Sequence, residues 1–202
     1  MKRSIVCLLL SLLMCNYVLA QMSNSCQEIE VELAIKQQCV NKVKTLMHHF
    51  AEIAKKDNPD SIKDYHIEAC LDLFMGRGND TKDDDGNIII PAPRIEVSSL
   101  ATVCVNSYFI KNYLTRLKMQ HSKIVFRAVE CYLPVGSIKK VGENMYLAEV
   151  FSHLFIVGNN DDQLVYREKQ KKIQVLIEKD NLGRYEVLLG DIKVDQTDTN
   201  QE

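Results

Sequence analysis

Lys171-Lys172-Ile173-Gln174-Val175-Leu176-Ile177-Glu178-Lys179 alternates at a period of two, with the β-branched Ile173, Val175 and Ile177 on one side. That period belongs to a strand with one buried face. The stretch lies in a C-terminal third, Ser122 to Gln196, that reads as four strands: Lys123–Leu133, Met145–Val157, Val165–Lys179 and Arg184–Asp195. Gly136, then Gly158 with Asn159-Asn160-Asp161-Asp162, then Asn181-Leu182-Gly183 punctuate them. Short turns between successive strands predict an antiparallel meander.

Upstream the spacing turns helical. From about Ala34 to Lys56, Val40, Val43, Met47, Phe50 and Ala54 recur at three- and four-residue steps. Asn41, Lys44, His48, Glu52 and Lys55 take the opposite stripe, and Asp57-Asn58-Pro59 stops the helix. A second helix is expected from Ser61 to Met75, capped by Asp60 or Ser61 with Asp64 completing a capping box. Its inward stripe is Ile62, Tyr65, Ala69 and Leu73, and Gly76 and Gly78 end it. After an acidic loop, Asn79 to Asn87, and the run Ile88-Ile89-Ile90, Ile95 to Ser99 reads as a short strand. Pro91 and Pro93 place it at an edge or a strand start. Cys104 to Met119 returns to helical spacing through Phe109, Ile110, Tyr113, Leu114 and Leu117. The expected fold class is α+β: N-terminal helices packed on a curved antiparallel sheet of four long strands plus one short strand.

The first twenty residues read as a signal peptide. Lys2 and Arg3 precede the apolar run Ile5 to Met14, and Val18-Leu19-Ala20 supplies a cleavage site. The run is too short for a membrane span. Lipidation at Cys15 is disfavoured, because Met14 is large. The expected product is exported, periplasmic or secreted. It has an arm over 21–33, one domain over 34–195 and a disordered tail over 196–202. The chain's net charge of −2 provides no electrostatic footprint for nucleic acid. Beyond the signal segment the cysteines are Cys26, Cys39, Cys70, Cys104 and Cys131. Their pairing is open, and no C-x-x-C motif is present.

Five pieces carry a family resemblance: Lys36-Gln37-Gln38-Cys39-Val40-Asn41-Lys42, Leu73-Phe74-Met75-Gly76-Arg77-Gly78-Asn79, Ile95-Glu96-Val97-Ser98-Ser99, Val141-Gly142-Glu143-Asn144-Met145-Tyr146 and Leu189-Gly190-Asp191-Ile192-Lys193-Val194. With the element order, they make the chain from Ala34 to Asp195 resemble the nuclear transport factor two-like superfamily, the cystatin-like cone, and its small exported bacterial members. The resemblance implies a cone-shaped cavity between helix and sheet. Some members use it for isomerase or dehydratase chemistry; many bind a small apolar ligand or a partner. A homodimer through the outer sheet face is also implied.

Candidate residues for such a cavity are Tyr65 and Tyr113 on helix stripes, and Glu149 and His153 on one strand. Glu149 and His153 stand about 13 Å apart along it, too far to act as a pair. No catalytic set, metal site or cofactor is assigned. His48 and Glu52, one helical turn apart, lack the rest of a zinc-protease helix and read as a solvated face. Asp83-Asp84-Asp85-Gly86-Asn87 misses the glycine and glutamate positions of a calcium loop and reads as an acidic hairpin tip. Arg167, Lys169, Lys171 and Lys172 split between two strand faces, so they make no single anion patch. The functional expectation is a non-catalytic binding protein for a small apolar ligand or a protein partner. The alternatives are an isomerase, dehydratase or hydrolase using the same cavity, and an interaction module with a closed core.

Overall fold

The computed structural model describes residues 32–98, 105–119, 124–134, 137–158, 164–167 and 170–195; the side chains of 124–130, 153–158 and 164–167 lie outside the description. The expectations for the signal segment, Cys26, Cys104 and the tail past Asp195 also fall outside it. The chain divides into two units, Met1–Gln37 and Gln38–Glu202. In the first, residues 32–37 are helical and Lys36 pairs with Glu32 at 2.8 Å.

The second unit begins with α1, residues 38–54. Its buried stripe is Cys39, Val43, Leu46, Met47, Phe50, Ile53 and Ala54, the three-and-four spacing of a helix with one face in the core. Asn58 closes it, its Nδ2 donating to the Glu52 carbonyl and carboxylate at 2.8 Å each. α2 is Asp60–Leu71. Pro59 itself is the N-cap and no side chain caps the helix, so the expected capping box is corrected. Asp64 instead accepts from Lys118 Nζ at 2.6 Å. The buried face is also rotated from the expected one. Lys63, Cys70 and Leu71 are inside, whereas Ile62 and Tyr65 are 43% and 66% exposed.

α2 stops at Leu71 rather than Met75 because the chain leaves for the sheet. Leu189 N donates to Leu73 O at 2.8 Å, and Phe74 bridges Leu189. The short 3-10 turn Met75–Gly78 then reverses the chain through positive φ at Gly76, Arg77 and Gly78 (57°, 49° and 74°). Arg77 is the one non-glycine there. Its guanidinium reaches Asp72 at 2.7 Å and Glu68 at 3.1 Å, which ties the turn to α2.

β1 (Thr81–Lys82) and β2 (Ile88–Ile90) form a small antiparallel hairpin around the acidic tip. β3 is Arg94–Ser98 and β4 is Val105–Phe109. β4 corrects the reading of Cys104 to Met119 as one helix: only Ile110–Lys118, α3, is helical. All five β4 residues pair with β3, and the Arg94 guanidinium lies 4.3 Å from the Phe109 ring centroid. Strand pairing has overridden a local apolar spacing that fits either state. It also makes β3 an inner strand, with Pro93 directly before its first residue, so of the two expected positions the strand start is the one observed.

The remaining strands are β5 (Ile124–Tyr132), β6 (Lys139–Lys140), β7 (Met145–Gly158), β8 (Leu164–Arg167), β9 (Lys171–Lys179) and β10 (Tyr185–Val194). The sheet order is β4-β3-β10-β9-β7-β5, with β6 and β8 also on β7. The expected antiparallel meander is therefore present as β5-β7-β9-β10. The expected strand Val165–Lys179 is two strands, β8, which pairs with residues 155–158 of the long β7, and β9, which pairs with residues 145–152. β3 joins β10 in parallel, Ile95 facing Ile192, so the sheet is mixed.

Cross-strand register builds the core. Val150 faces Ile173, and Ala148 faces Val175. Ile173 in turn faces Ile192, Val175 faces Leu189, and Ile177 faces Val187. Each of these is at most 6% exposed. Burying one such side chain contributes roughly 1.5–3 kcal/mol. α3 adds Ile110, Leu114 and Leu117, and Tyr113 meets Phe50 of α1 edge to face at 5.4 Å. Helices on one face of this sheet make the α+β class expected from the sequence.

Candidate functional site

The four cavity candidates occupy separate places. Tyr65 is exposed, its ring edge-on to His66 at 5.2 Å. Tyr113 is half-buried and used in packing on Phe50. Glu149 alternates with the buried Ala148 and Val150, so it points to the opposite face, where it pairs with Lys172 at 3.5 Å. His153 pairs Glu130 through the backbone, and its side chain lies outside the described residues. Tyr65, expected on the inward stripe of its helix, is thus exposed, and Glu149 lies on the face opposite the buried row. The Tyr65 error follows from α2 itself: its apolar residues spread around the helix, and the stem of Lys63 fills a core position.

One end of the inner sheet face is polar. Lys171, only 3% exposed, continues the Ile173-Val175-Ile177 row. Its Nζ donates to the Glu96 carbonyl at 2.7 Å, while the Glu96 carboxylate accepts from Val194 N at 2.9 Å. Gln170 donates to Tyr132 Oη at 2.7 Å and accepts from Asp195 N at 2.8 Å. Ser152 faces Lys171 across the β7–β9 ladder and accepts from Cys131 Sγ at 3.4 Å. A facing serine and lysine could suggest a nucleophile and its base. Ser152 is fully buried, however, and the amine is committed as a donor to Glu96. The arrangement is a clasp that satisfies buried polar groups across β3, β10, β9, β7 and β5.

A groove lies elsewhere among the described residues. It has a volume of about 600 Å³ and runs between α1 and the β9–β10 turn. α1 contributes Gln38, Asn41, Lys42 and Thr45, one helical stripe at three- and four-residue steps; the hairpin contributes Asp180, Arg184, Tyr185, Glu186 and Val187. The hairpin wall is pre-ordered. Asp180 Oδ1 accepts from Leu182 N and Arg184 N at 2.9 and 2.8 Å, and Oδ2 accepts from Arg184 Nε at 2.7 Å. The Arg184 backbone N–H, then its guanidinium, holds the Asp180 carboxyl below its ordinary pKa. Gly183, at φ 80°, makes the turn. The Arg184 side chain is 74% exposed and bonds Asp180 through Nε, so the outer side of its fork faces solvent. Two cations, two carboxylates, side-chain amides and a hydroxyl thus surround a tyrosine ring and a valine. None of the four sequence candidates lines this groove. The signal for it was present but split: a polar α1 stripe and an Asp180–Arg184 pair more than 130 residues later.

The other sequence motifs resolve simply. Glu52 turns to Asn58 and Lys55, at 2.8 and 3.9 Å. Asp83 spends its carboxylate on its own turn, accepting from Asn87 N at 2.7 Å, Asp85 N at 3.1 Å and Asn87 Nδ2 at 3.1 Å, so it is an acidic hairpin tip as expected. Cys39 and Cys70 are free and buried, and burial pushes the Cys39 thiol up to about 11. Both are small core hydrophobes. Among the described residues no helix is long and apolar enough to cross a membrane.

No protein-family model matches the chain, and no curated protein matches it. Solved structures do show a likeness. A protein from Catenulispora acidiphila superposes with a TM-score of 0.43 at 10% identity, over 83% of this chain and 94% of that one. ActVI-ORFA from Streptomyces coelicolor gives 0.39 at 12% identity, over 77% and 96%. An NTF2-like protein with a cystatin-like fold from Novosphingobium aromaticivorans gives 0.36 at 8% identity, over 85% and 90%. All three scores lie below 0.5, so the likenesses assign no family to this chain. At such scores and identities nothing about activity is taken from them.

Proposed function

We propose that the protein is an exported, non-catalytic binding protein whose recognition site is the groove between α1 and the β9–β10 turn. One observation carries this reading: Arg184, whose side chain is largely exposed, and Lys42 line the same groove as Tyr185 and Val187. That combination suits a small amphipathic molecule with an anionic head and a short apolar body. The head binds the arginine fork, and the body covers the ring and the valine. Such a ligand is amphipathic rather than wholly apolar. Export rests on the signal-peptide pattern of the first twenty residues, and a homodimer through the outer sheet face belongs to the same proposal.

Native mass spectrometry of protein purified from its own host tests all three parts. The expected spectrum shows a chain beginning after Ala20, in dimeric form, carrying a small-molecule adduct. Arg184→Glu and Thr45→Arg, which reverse a charge in the groove and fill it, are expected to lose the adduct. Tyr65→Ala is expected to keep it. An adduct indifferent to both groove substitutions would place the site elsewhere.

A further inference from the structure

His49 of α1 and His66 of α2 place their Nδ1 atoms 2.9 Å apart, with the ring centroids at 5.2 Å. The His48 ring lies 5.7 Å from each, centroid to centroid. Two ring nitrogens aimed at each other at that distance hold one proton between them: one Nδ1 donates and the other accepts. Such a pair takes up further protons in two unlike steps. The first proton enters at Nε2 of the donor ring and leaves the Nδ1–H···Nδ1 bond in place. The second has only the accepting Nδ1 to enter, because the acceptor's Nε2 already carries its hydrogen. It takes the lone pair that made the bond and sets two cations side by side.

We infer that the His49–His66 hydrogen bond is an acid-sensitive latch between α1 and α2, one that holds through the first protonation of the pair and opens at the second. The charged and titratable groups facing it among the described residues assign the two roles. On α1, the Asn58 hydrogen bond first, then Lys55, His48 and His66, hold the Glu52 carboxyl below its ordinary pKa, so this carboxylate counters a charge on His66. Burial first, then His66 and His48, holds His49 below the ordinary imidazole pKa. His66 is therefore the donor and takes the first proton; His49 is the acceptor. Also near the pair are Lys55, 3.9 Å from Glu52, Lys63, one turn before His66 on α2, and Tyr65, edge-on to the His66 ring at 5.2 Å. Both lysines oppose a second cation. α2 keeps its other ties: Asp64 to Lys118, the buried Cys70 and Leu71, and the bond from Leu189 N to Leu73 O beyond its end. Opening the latch thus loosens the side of α2 that meets α1 while the sheet stays closed.

Untagged full-length protein titrated from about pH 8 to about pH 4 tests the inference, by nitrogen magnetic resonance of the imidazole rings and by amide-exchange protection corrected for intrinsic rates. The expected result is that His66 and His49 protonate in separate steps. Protection of α2, taken relative to Ile173–Ile177 of β9, falls at least about tenfold with the second step and not with the first. His49→Gln and His66→Gln identify the two ring signals and are each expected to abolish this fall, while His48→Gln keeps it. Circular dichroism checks that the variants fold, and the wild-type titration stands as a test that needs no variant. A single common step, no second step, α2 protection that holds through the second step or falls with the first, or an equal fall in His49→Gln overturns the inference.

Discussion

Gly78 offers a quantitative test of the turn that sends the chain from α2 to the sheet. It sits at φ 74°, and a Cβ there would lie 2.9 Å from Ile110 Cγ2, 3.0 Å from Leu71 Cδ2 and 3.3 Å from Lys111 Cγ. Gly78→Ala therefore meets two costs. The left-handed backbone costs an alanine about 1–2 kcal/mol. Forcing the methyl against the fully buried Ile110 and the 7%-exposed Leu71 adds about 1–3 kcal/mol. Gly86 is the control: its φ is 85°, and nothing lies within 4 Å of its added Cβ. Gly86→Ala meets the backbone cost alone, about 1–2 kcal/mol. The difference between the two variants isolates the packing cost, about 1–3 kcal/mol. Urea unfolding followed by far-ultraviolet circular dichroism measures both, since the midpoint shifts while the slope holds. Adding Leu71→Ala to Gly78→Ala removes one of the crowding methyls, so the pair should cost less than the sum of its parts. Equal midpoints for Gly78→Ala and Gly86→Ala would refute the argument that Gly78 is packed between α2 and α3.

Other consequences are simpler to check. Ile177→Ala, at a fully buried cross-strand position, should lower stability by about 2–5 kcal/mol; Tyr65→Ala, at an exposed site, should stay within about 0.5 kcal/mol of the wild type, both by urea midpoint. Because His49 titrates below its ordinary pKa of 6.5 in the folded chain, the unfolded chain binds more protons just under that value. Its contribution is therefore full above 6.5 and lost as pH falls toward the folded pKa. Stability measured from pH 7.5 to 5 should fall, and less steeply in His49→Gln. Asp180→Ala removes the carboxylate that orders Leu182, Arg184 and the β9–β10 turn. Amide exchange at those residues should speed up while the Ile173–Ile177 core stays protected.

The elements fall into two groups by how far apart their partners lie. A period of two in Lys171 to Lys179, a period near 3.6 in Val43 to Ala54 and the stop at Asp57-Asn58-Pro59 are written within a few residues of themselves, because each records which face is buried. Turn residues between successive strands likewise specify β5-β7-β9-β10, since neighbours joined by short turns pair antiparallel. These features made the α+β class legible from the amino-acid order. Other features required partners distant along the chain. Val105 to Phe109 is extended because β3 offers it five backbone pairs. β3 sits where it does because Ile95 meets Ile192 and Arg94 N donates to the Asp191 carboxylate, 97 residues away. The face of α2, the burial of Lys171, the groove joining Gln38–Thr45 to Asp180–Val187 and the contact of His49 with His66 are of the same kind. Local periodicity reports that a side chain is covered but not by what. Only the packing of remote segments supplies that covering, and here both the groove and the His49–His66 contact are made of it.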